Sequence, residues 1–183
     1  KMKNTNRNGV GIVQKRANYP MESPYEVEYV GFEDTFRADP DRIVYAHTVP
    51  GLQPLDSLHH HDAVEVGYCF SGSGIFSVDG ALLPFSAPCA TVLYPGQLHK
   101  ARSMGEQESH WLFVTFRAES VFPRNARDLY NLPWDGALAQ SALTTDPAIV
   151  SLAAAVAEEF EQGARDRDDC VRGLLRALLV RHG

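Results

Sequence analysis

Cysteine is scarce in this chain, and none of the three residues Cys69, Cys89 and Cys170 stands in a C-x-x-C pair. That spacing excludes the usual cysteine zinc sites and dithiol redox motifs. The three read as reduced, buried, inert small hydrophobes, and no flanking base lowers the pKa of Cys69. Long apolar runs are missing too, so nothing reads as a membrane span, and no charged start followed by an apolar stretch marks a secretory signal. Positive charge is in deficit: 17 Lys and Arg face 23 Asp and Glu, a formal net charge of −6. This is the wrong sign for a domain that neutralises phosphates, which argues against direct nucleic-acid binding by this stretch. There is no G-x-x-x-x-G-K loop, and Ser71-Gly72-Ser73-Gly74 lacks the G-x-S-x-G spacing of a nucleophile turn. These absences leave a cytoplasmic protein as the expectation. Lys1 stands before Met2, which a natural start codon would not give, so a piece of a longer chain is expected.

What is present fits one compact domain: 183 residues, 44% hydrophobic and 10% aromatic. Residues 1–20 carry five basic and no acidic side chains, and 1–26 reads as an arm or leader. From 27 to 122 short runs rich in Val, Ile, Tyr, Phe and Thr alternate with turn signals, which predicts a sandwich or barrel. The expected strands are 27–32, 42–49, 63–70, 74–79, 81–86, 90–94, 97–103 and 110–117, with sharp turns at Gly72-Ser73-Gly74 and Asp79-Gly80, a run of antiparallel hairpins. A connector opens the last segment, 123–183, and two helices follow. The first is capped by Thr145 or Asp146, begins with Pro147 and ends at Gly163; the second runs over about 166–181, acidic at its start and basic at its end. Val171, Leu174, Leu175 and Leu178 lie on its apolar stripe. They are the candidate seam of a two-fold dimer; the plainer reading is that they pack on the barrel.

The chemistry concentrates in His59-His60-His61-Asp62-Ala63-Val64-Glu65. On one continuous strand His59, His61 and Glu65 point to the same face, together with Ala63, Gly67 and Cys69, while Val64, Val66, Tyr68 and Phe70 form an apolar row on the other. Small residues beside polar ones predict a cavity. Pro95-Gly96 turns the chain, and His99 opens the next strand, where an antiparallel neighbour brings it to the same group. Three imidazoles and a carboxylate suit a divalent transition metal, Zn, Ni, Fe, Mn or Cu; the plainer reading is a solvated loop and a surface turn without metal. By parity His60 is not a ligand. Tyr45, His47 and Trp111 are candidate ligand-pocket residues for a sugar or an aromatic acid, against a plainer reading as core.

His59-x-His61-x-x-x-Glu65 with Gly72 beyond, followed by Pro95-Gly96-x-x-His99, resembles the two motifs of the cupins. The strand count leads separately to the same double-sheet jelly roll, so the expected fold is mostly β, a cupin double-stranded β-helix followed by two C-terminal α-helices. Within the cupins the chain is similar to the N-terminal sensing domain of AraC/XylS-type transcription regulators, through the basic arm, both histidine motifs, the strand His110–Arg117 with its Pro-bearing connector, and the two terminal helices. The resemblance implies a small-molecule effector inside the barrel, a homodimer formed through the helices, and contact with DNA only through a C-terminal helix-turn-helix domain absent from this chain. It implies no catalysis. The complete metal quartet departs from many such domains and sustains a rival reading, a metal-dependent cupin enzyme, an oxygenase, isomerase or decarboxylase of a small organic acid.

Overall fold

The structure, a computed structural model, describes residues 27–31, 44–50, 58–104, 108–122, 142–162 and 166–183, with backbone alone for Val27, Glu28 and 44–50. The arm 1–26 and the connector 123–141 lie outside the described residues. The strands are β1 (Val27–Val30), β2 (Val44–Pro50), β3 (Leu58–His61), β4 (Val64–Ser71), β5 (Ser73–Val78), β6 (Ala81–Ser86), β7 (Cys89–Leu93), β8 (His99–Ser103), β9 (His110–Phe116) and β10 (Leu143–Thr144). The helices are α1 (Ala118–Val121), α2 (Pro147–Gln162) and α3 (Arg167–His182).

Two five-stranded sheets face each other, in the orders β1-β3-β8-β5-β6 and β10-β7-β4-β9-β2. This is the mostly β jelly roll, followed by two C-terminal helices. A run of hairpins was expected, and the structure corrects it. Among these strands only β5 and β6 are both consecutive in sequence and paired, through the two-residue Asp79-Gly80 loop. The other steps from β1 to β9 pass from one sheet to the other, as at Asp62-Ala63 between β3 and β4 and at Gly72 between β4 and β5. Turn residues mark both a hairpin and a change of sheet, and local signals do not distinguish them.

Alternation along the strands of the second sheet sorts side chains into two cores. Val64 and Val66 of β4, Ala90 and Val92 of β7, and Leu112, Val114 and Phe116 of β9 join Ile149, Ala153 and Val156 of α2 and Val171, Leu175, Leu178 and Leu179 of α3. The other face of the same strands sends Cys69, Cys89, Leu93, Trp111 and Phe113 inward to meet Phe76, Val78 and Phe85. The period of two in β4 and β9 thus puts helices outside and a second sheet inside. At Gly67, where the small residues predicted open space, that space is taken: a Cβ there would come within 2.7 Å of Phe113 and closer still to Thr91 Oγ1. The small residue leaves room for its neighbours' rings.

Asp146 caps α2, its Oδ1 accepting from the backbone N–H of Ala148 at 2.8 Å and of Ile149 at 3.2 Å. Between the barrel and α3, Arg172 Nη1 donates to Ser120 O at 2.8 Å, and Arg176 donates from Nε and Nη2 to Val121 O at 3.0 and 2.7 Å. These bonds satisfy carbonyls at the end of the short α1.

The stripe expected as a dimer seam also packs on the core of its own protomer. Val171, Leu175 and Leu178 are buried inside the protomer, and Leu174 packs partly buried on the same core. Their apolar surface is buried in the core they share with α2, α1 and the sheet. Truncation of Leu175 to Ala is expected to lower folding stability by about 2–5 kcal/mol, the range for emptying a packed leucine site. Chemical denaturation at two protein concentrations checks it: a core role shifts the midpoint equally at both, whereas an interface role makes the shift depend on concentration.

Candidate functional site

The change of sheet at Asp62-Ala63 brings His61 and Glu65 together. His61 ends β3 in one sheet and Glu65 lies second in β4 of the other, so the continuous strand on which their shared face was argued does not exist. They meet across the fold of the chain, His61 Nε2 lying 3.3 Å from Glu65 Oε2. His99 enters from β8, which lies between β3 and β5 and pairs with both. Its Nε2 stands 3.5 Å from Glu65 Oε1. All three side chains are buried, and their donor atoms lie within 4.8 Å of one another.

The orientation of each imidazole is set by its other nitrogen. Carbonyls only accept, so His61 Nδ1–H donates to Ala63 O at 2.9 Å and His99 Nδ1–H to Gln97 O at 2.8 Å. Both Nε2 atoms are thereby aimed at the two carboxylate oxygens, an arrangement found around metal-binding histidines. Thr115 Oγ1 donates to Glu65 Oε2 at 3.3 Å and orients the carboxylate. Four acceptor positions converge where all three side chains are buried, and a cation or protons can neutralise them. Without a metal, the protons serve. Burial works against charge on both partners, yet the Glu65 hydrogen bond and charge hold His61 above its ordinary 6.5, and bonds from His61 and His99 hold Glu65 well below its ordinary 4.5.

The turn before His99 is braced from three sides. Pro95-Gly96 forms the turn with Gly96 at φ +86°, as a Pro-Gly type II turn requires. Gly96 N–H donates to His61 O at 2.8 Å, so the backbone of one ligand strand holds the turn that delivers the other. Gln97 folds back so that its Oε1 accepts from Tyr94 N–H at 2.8 Å, and Asp79 Oδ1 accepts from Leu98 N–H at 2.8 Å. Neither Gln97 nor Asp79 was expected to serve the site. Gln97 sits within the recognised turn, whereas Asp79 reads as an ordinary hairpin residue until β5 and β8 are paired.

The remaining candidates are placed differently. His59 lies directly opposite His99 in register, with ring centroids 4.2 Å apart, but is not among the three residues whose donor atoms converge. His60 packs against Tyr29 at 5.2 Å between centroids, and burial lowers its pKa. Trp111 is buried between Phe85, Phe113 and Phe76, with Nε1–H donating to Ser109 Oγ at 3.1 Å. This geometry favours the plainer reading of Trp111 as core. Tyr45 and His47 are register partners of Thr115 and Phe113 across β2 and β9; their side chains lie outside the description. The donor set of two imidazole nitrogens and a carboxylate fits a divalent transition metal, with His61, Glu65 and His99 as the residues that could hold it.

Comparison with known proteins places this geometry in a family. No curated protein matches the chain significantly. Among solved structures, it is similar to a cupin protein from Bacteroides fragilis at 19% identity over 46% of this chain and 73% of that one, with a TM-score of 0.39. It is also similar to a predicted oxalate decarboxylase from Thermotoga maritima, at 22% identity over 45% and 73% with a TM-score of 0.36. A Cupin 2 conserved barrel domain protein from Salinispora arenicola matches at 19% over 49% and 92%, TM-score 0.34. The AraC-like ligand binding domain family matches residues 53–169, more than half of the chain, from before the first histidine motif to the start of α3. The chain therefore belongs to the AraC-like ligand binding domain family.

Proposed function

We propose that this chain is the effector-sensing and dimerisation part of an AraC-type transcription regulator and is not an enzyme. The family match over residues 53–169, from β3 through α2, carries the reading. The proposal divides the chain into an arm, 1–26, a sensing barrel, 27–122, and a connector with a two-helix dimerisation segment, 123–183, in a cytoplasmic protein whose DNA contacts belong to a separate helix-turn-helix domain. Among the described residues no helix is long and apolar enough to cross a membrane, and the acidic balance suits a part that leaves DNA to another domain. A small effector, a sugar or an aromatic acid, switches the regulator only through unequal affinity for two states of the barrel. Tyr45 and His47 remain the proposed pocket residues. For a second copy, the outer side of α3 adds to the expected seam of Val171, Leu174, Leu175 and Leu178 a groove that Gly173, Arg176, Ala177, Val180 and Arg181 line with Leu152 of α2.

The convergence of His61, Glu65 and His99 supports a second reading, a metal-dependent cupin enzyme. A bound Zn, Ni, Fe, Mn or Cu ion would act as a Lewis acid toward a small organic acid. In either reading His61, Glu65 and His99 would bind the metal, His59 would complete the quartet, and Thr115 would hold the Glu65 carboxylate in position.

A thermal-shift screen of sugars and organic acids, followed by product analysis with the metal-loaded chain, separates the two readings. A sensor is expected to be stabilised by one ligand class, by about 2.7 kcal/mol at a hundred times its Kd, and to release the ligand unchanged. Metal-dependent conversion of that ligand would transfer the assignment to the enzyme. Elemental analysis of the purified chain is expected to find metal that His99→Ala loses, and Thr115→Val is expected to weaken metal affinity about 10–100-fold in chelator competition. In chelator-treated protein, protons replace the cation. The raised His61 pKa contributes stability that is full below 6.5 and is lost as pH rises through the folded value, and the lowered Glu65 pKa contributes stability that is full above 4.5 and is lost as pH falls. Denaturation across pH is therefore expected to show the pair's contribution largest between those limits, and Glu65→Gln to flatten the profile. Val180→Asp is expected to shift sedimentation from dimer to monomer with the fold retained.

A further inference from the structure

Far apart in sequence, Cys69 and Cys89 face each other as register partners across the β4–β7 ladder. Both are free, fully buried, and part of the interior cluster with Phe85 and Trp111. Directly opposed residues on antiparallel strands have Cα atoms about 4.5–5.5 Å apart, inside the roughly 4.4–6.8 Å that a disulfide accepts. The two thiols also interact. A hydrogen bond to Cys89, with burial, pushes the Cys69 thiol up, and the same bond draws Cys89 down against its burial. Cys69 Sγ further lies 3.4 Å from Ser71 O. Inert separate thiols, as read from the sequence, are replaced by a contacting pair.

Enclosure narrows the chemistry this pair performs. A soft metal or an organic thiol adduct adds atoms to an interior already filled by Phe76, Phe85, Trp111 and Phe113, whereas a disulfide adds none. We propose that Cys69 and Cys89 are an oxidative modification site, closing into an intramolecular disulfide in response to a small hydroperoxide. The pair is the terminal rung of the β4–β7 ladder, and on the other flank of β4 the register against β9 shifts between Cys69 and Ser71. The next residue, Phe70, is 39% exposed. Strand ends of this kind open locally at lower cost than the middle of a sheet, and that opening admits an oxidant of peroxide size.

The reaction balances in two steps. Cys89, as thiolate, attacks one peroxide oxygen; the O–O bond breaks, Cys89 becomes a sulfenic acid, and the departing oxygen takes up the proton that the thiol gave up and leaves as water or an alcohol. Cys69 then attacks the sulfenic sulfur; the S–S bond forms, and the sulfenic oxygen leaves as water with the Cys69 proton. Two electrons pass from the thiols to the hydroperoxide.

The test exposes the reduced full chain to hydrogen peroxide, then unfolds it, alkylates it and maps its peptides by mass spectrometry with and without reductant. Exposed Cys170 reports the oxidant dose. The expected result is loss of alkylation at both Cys69 and Cys89 and a reducible link between their peptides, absent from Cys69→Ser and Cys89→Ser. Full alkylation of both when Cys170 is wholly oxidised would overturn the proposal, as would a link from either to Cys170 in place of the internal one. The wild-type chain alone decides, so misfolding of a variant costs the test nothing.

Discussion

A carboxylate at full burial is the constraint around which this barrel is organised. Glu65 sits inside the fold at 3% exposure, where an isolated charge would be far too costly to keep. Its position is sustainable because His61, His99 and Thr115 reach it from three strands. Each partner imposes a requirement of its own. His61 needs the chain to leave one sheet for the other within two residues, and His99 needs β8 wedged between β3 and β5. The bond from Gly96 N–H to His61 O then ties these requirements together. The Asp79 and Gln97 contacts hold the turn to the hairpin and to β7's end, so loosening any of them would let a buried charge lose a partner.

The helices stand outside this polar centre yet share its sheet. The central strands of the second sheet serve two masters: β4 sends Val64 and Val66 to the helices and Glu65 and Cys69 inward, and β9 sends Leu112 and Val114 out and Trp111 and Phe113 in. A shift of β4 or β9 along its neighbours would move both faces together, because backbone register carries them as one. The arginines of α3 grip the carbonyls that follow β9. Barrel and helix pair are thus mechanically joined through β9 and α1.

Much of this was legible in the sequence, and the failures share a cause. Most strand segments, though not Leu58–His61 or Leu143–Thr144, the two helices and the Asp146 cap follow from local pattern and turn chemistry, while the grouping of His61, Glu65 and His99 rests on the spacing of the two histidine motifs. Sheet membership does not follow, because Asp62-Ala63 and Gly72 look like continuations or hairpins when their long-range partners are unknown. The parity argument that put His59, His61 and Glu65 on one face assumed one strand where there are two, in different sheets. The apolar stripe of α3 was read correctly as a stripe, but periodicity says which residues face one way and not what they face. Gly67 was taken for open space, when its missing side chain is what lets Phe113 lie against the strand.

The inward face of β4 carries two chemically distinct centres, one near each end. Near its start Glu65 gathers imidazoles; near its end Cys69 meets Cys89; and between them Gly67, pressed by Phe113 and Thr91, provides no side chain of its own. The separation matters because a thiolate beside the histidines would compete with Glu65 for any transition metal. Between them lies aromatic packing that links the two centres, since Phe76 stacks on His99 and meets Trp111, which stacks in turn on Phe113. Strands β4 and β7 carry the outer face on which α2 and α3 rest. Chemistry at either end of β4 therefore acts on the helices through one shared element, the sheet whose two faces it sorts.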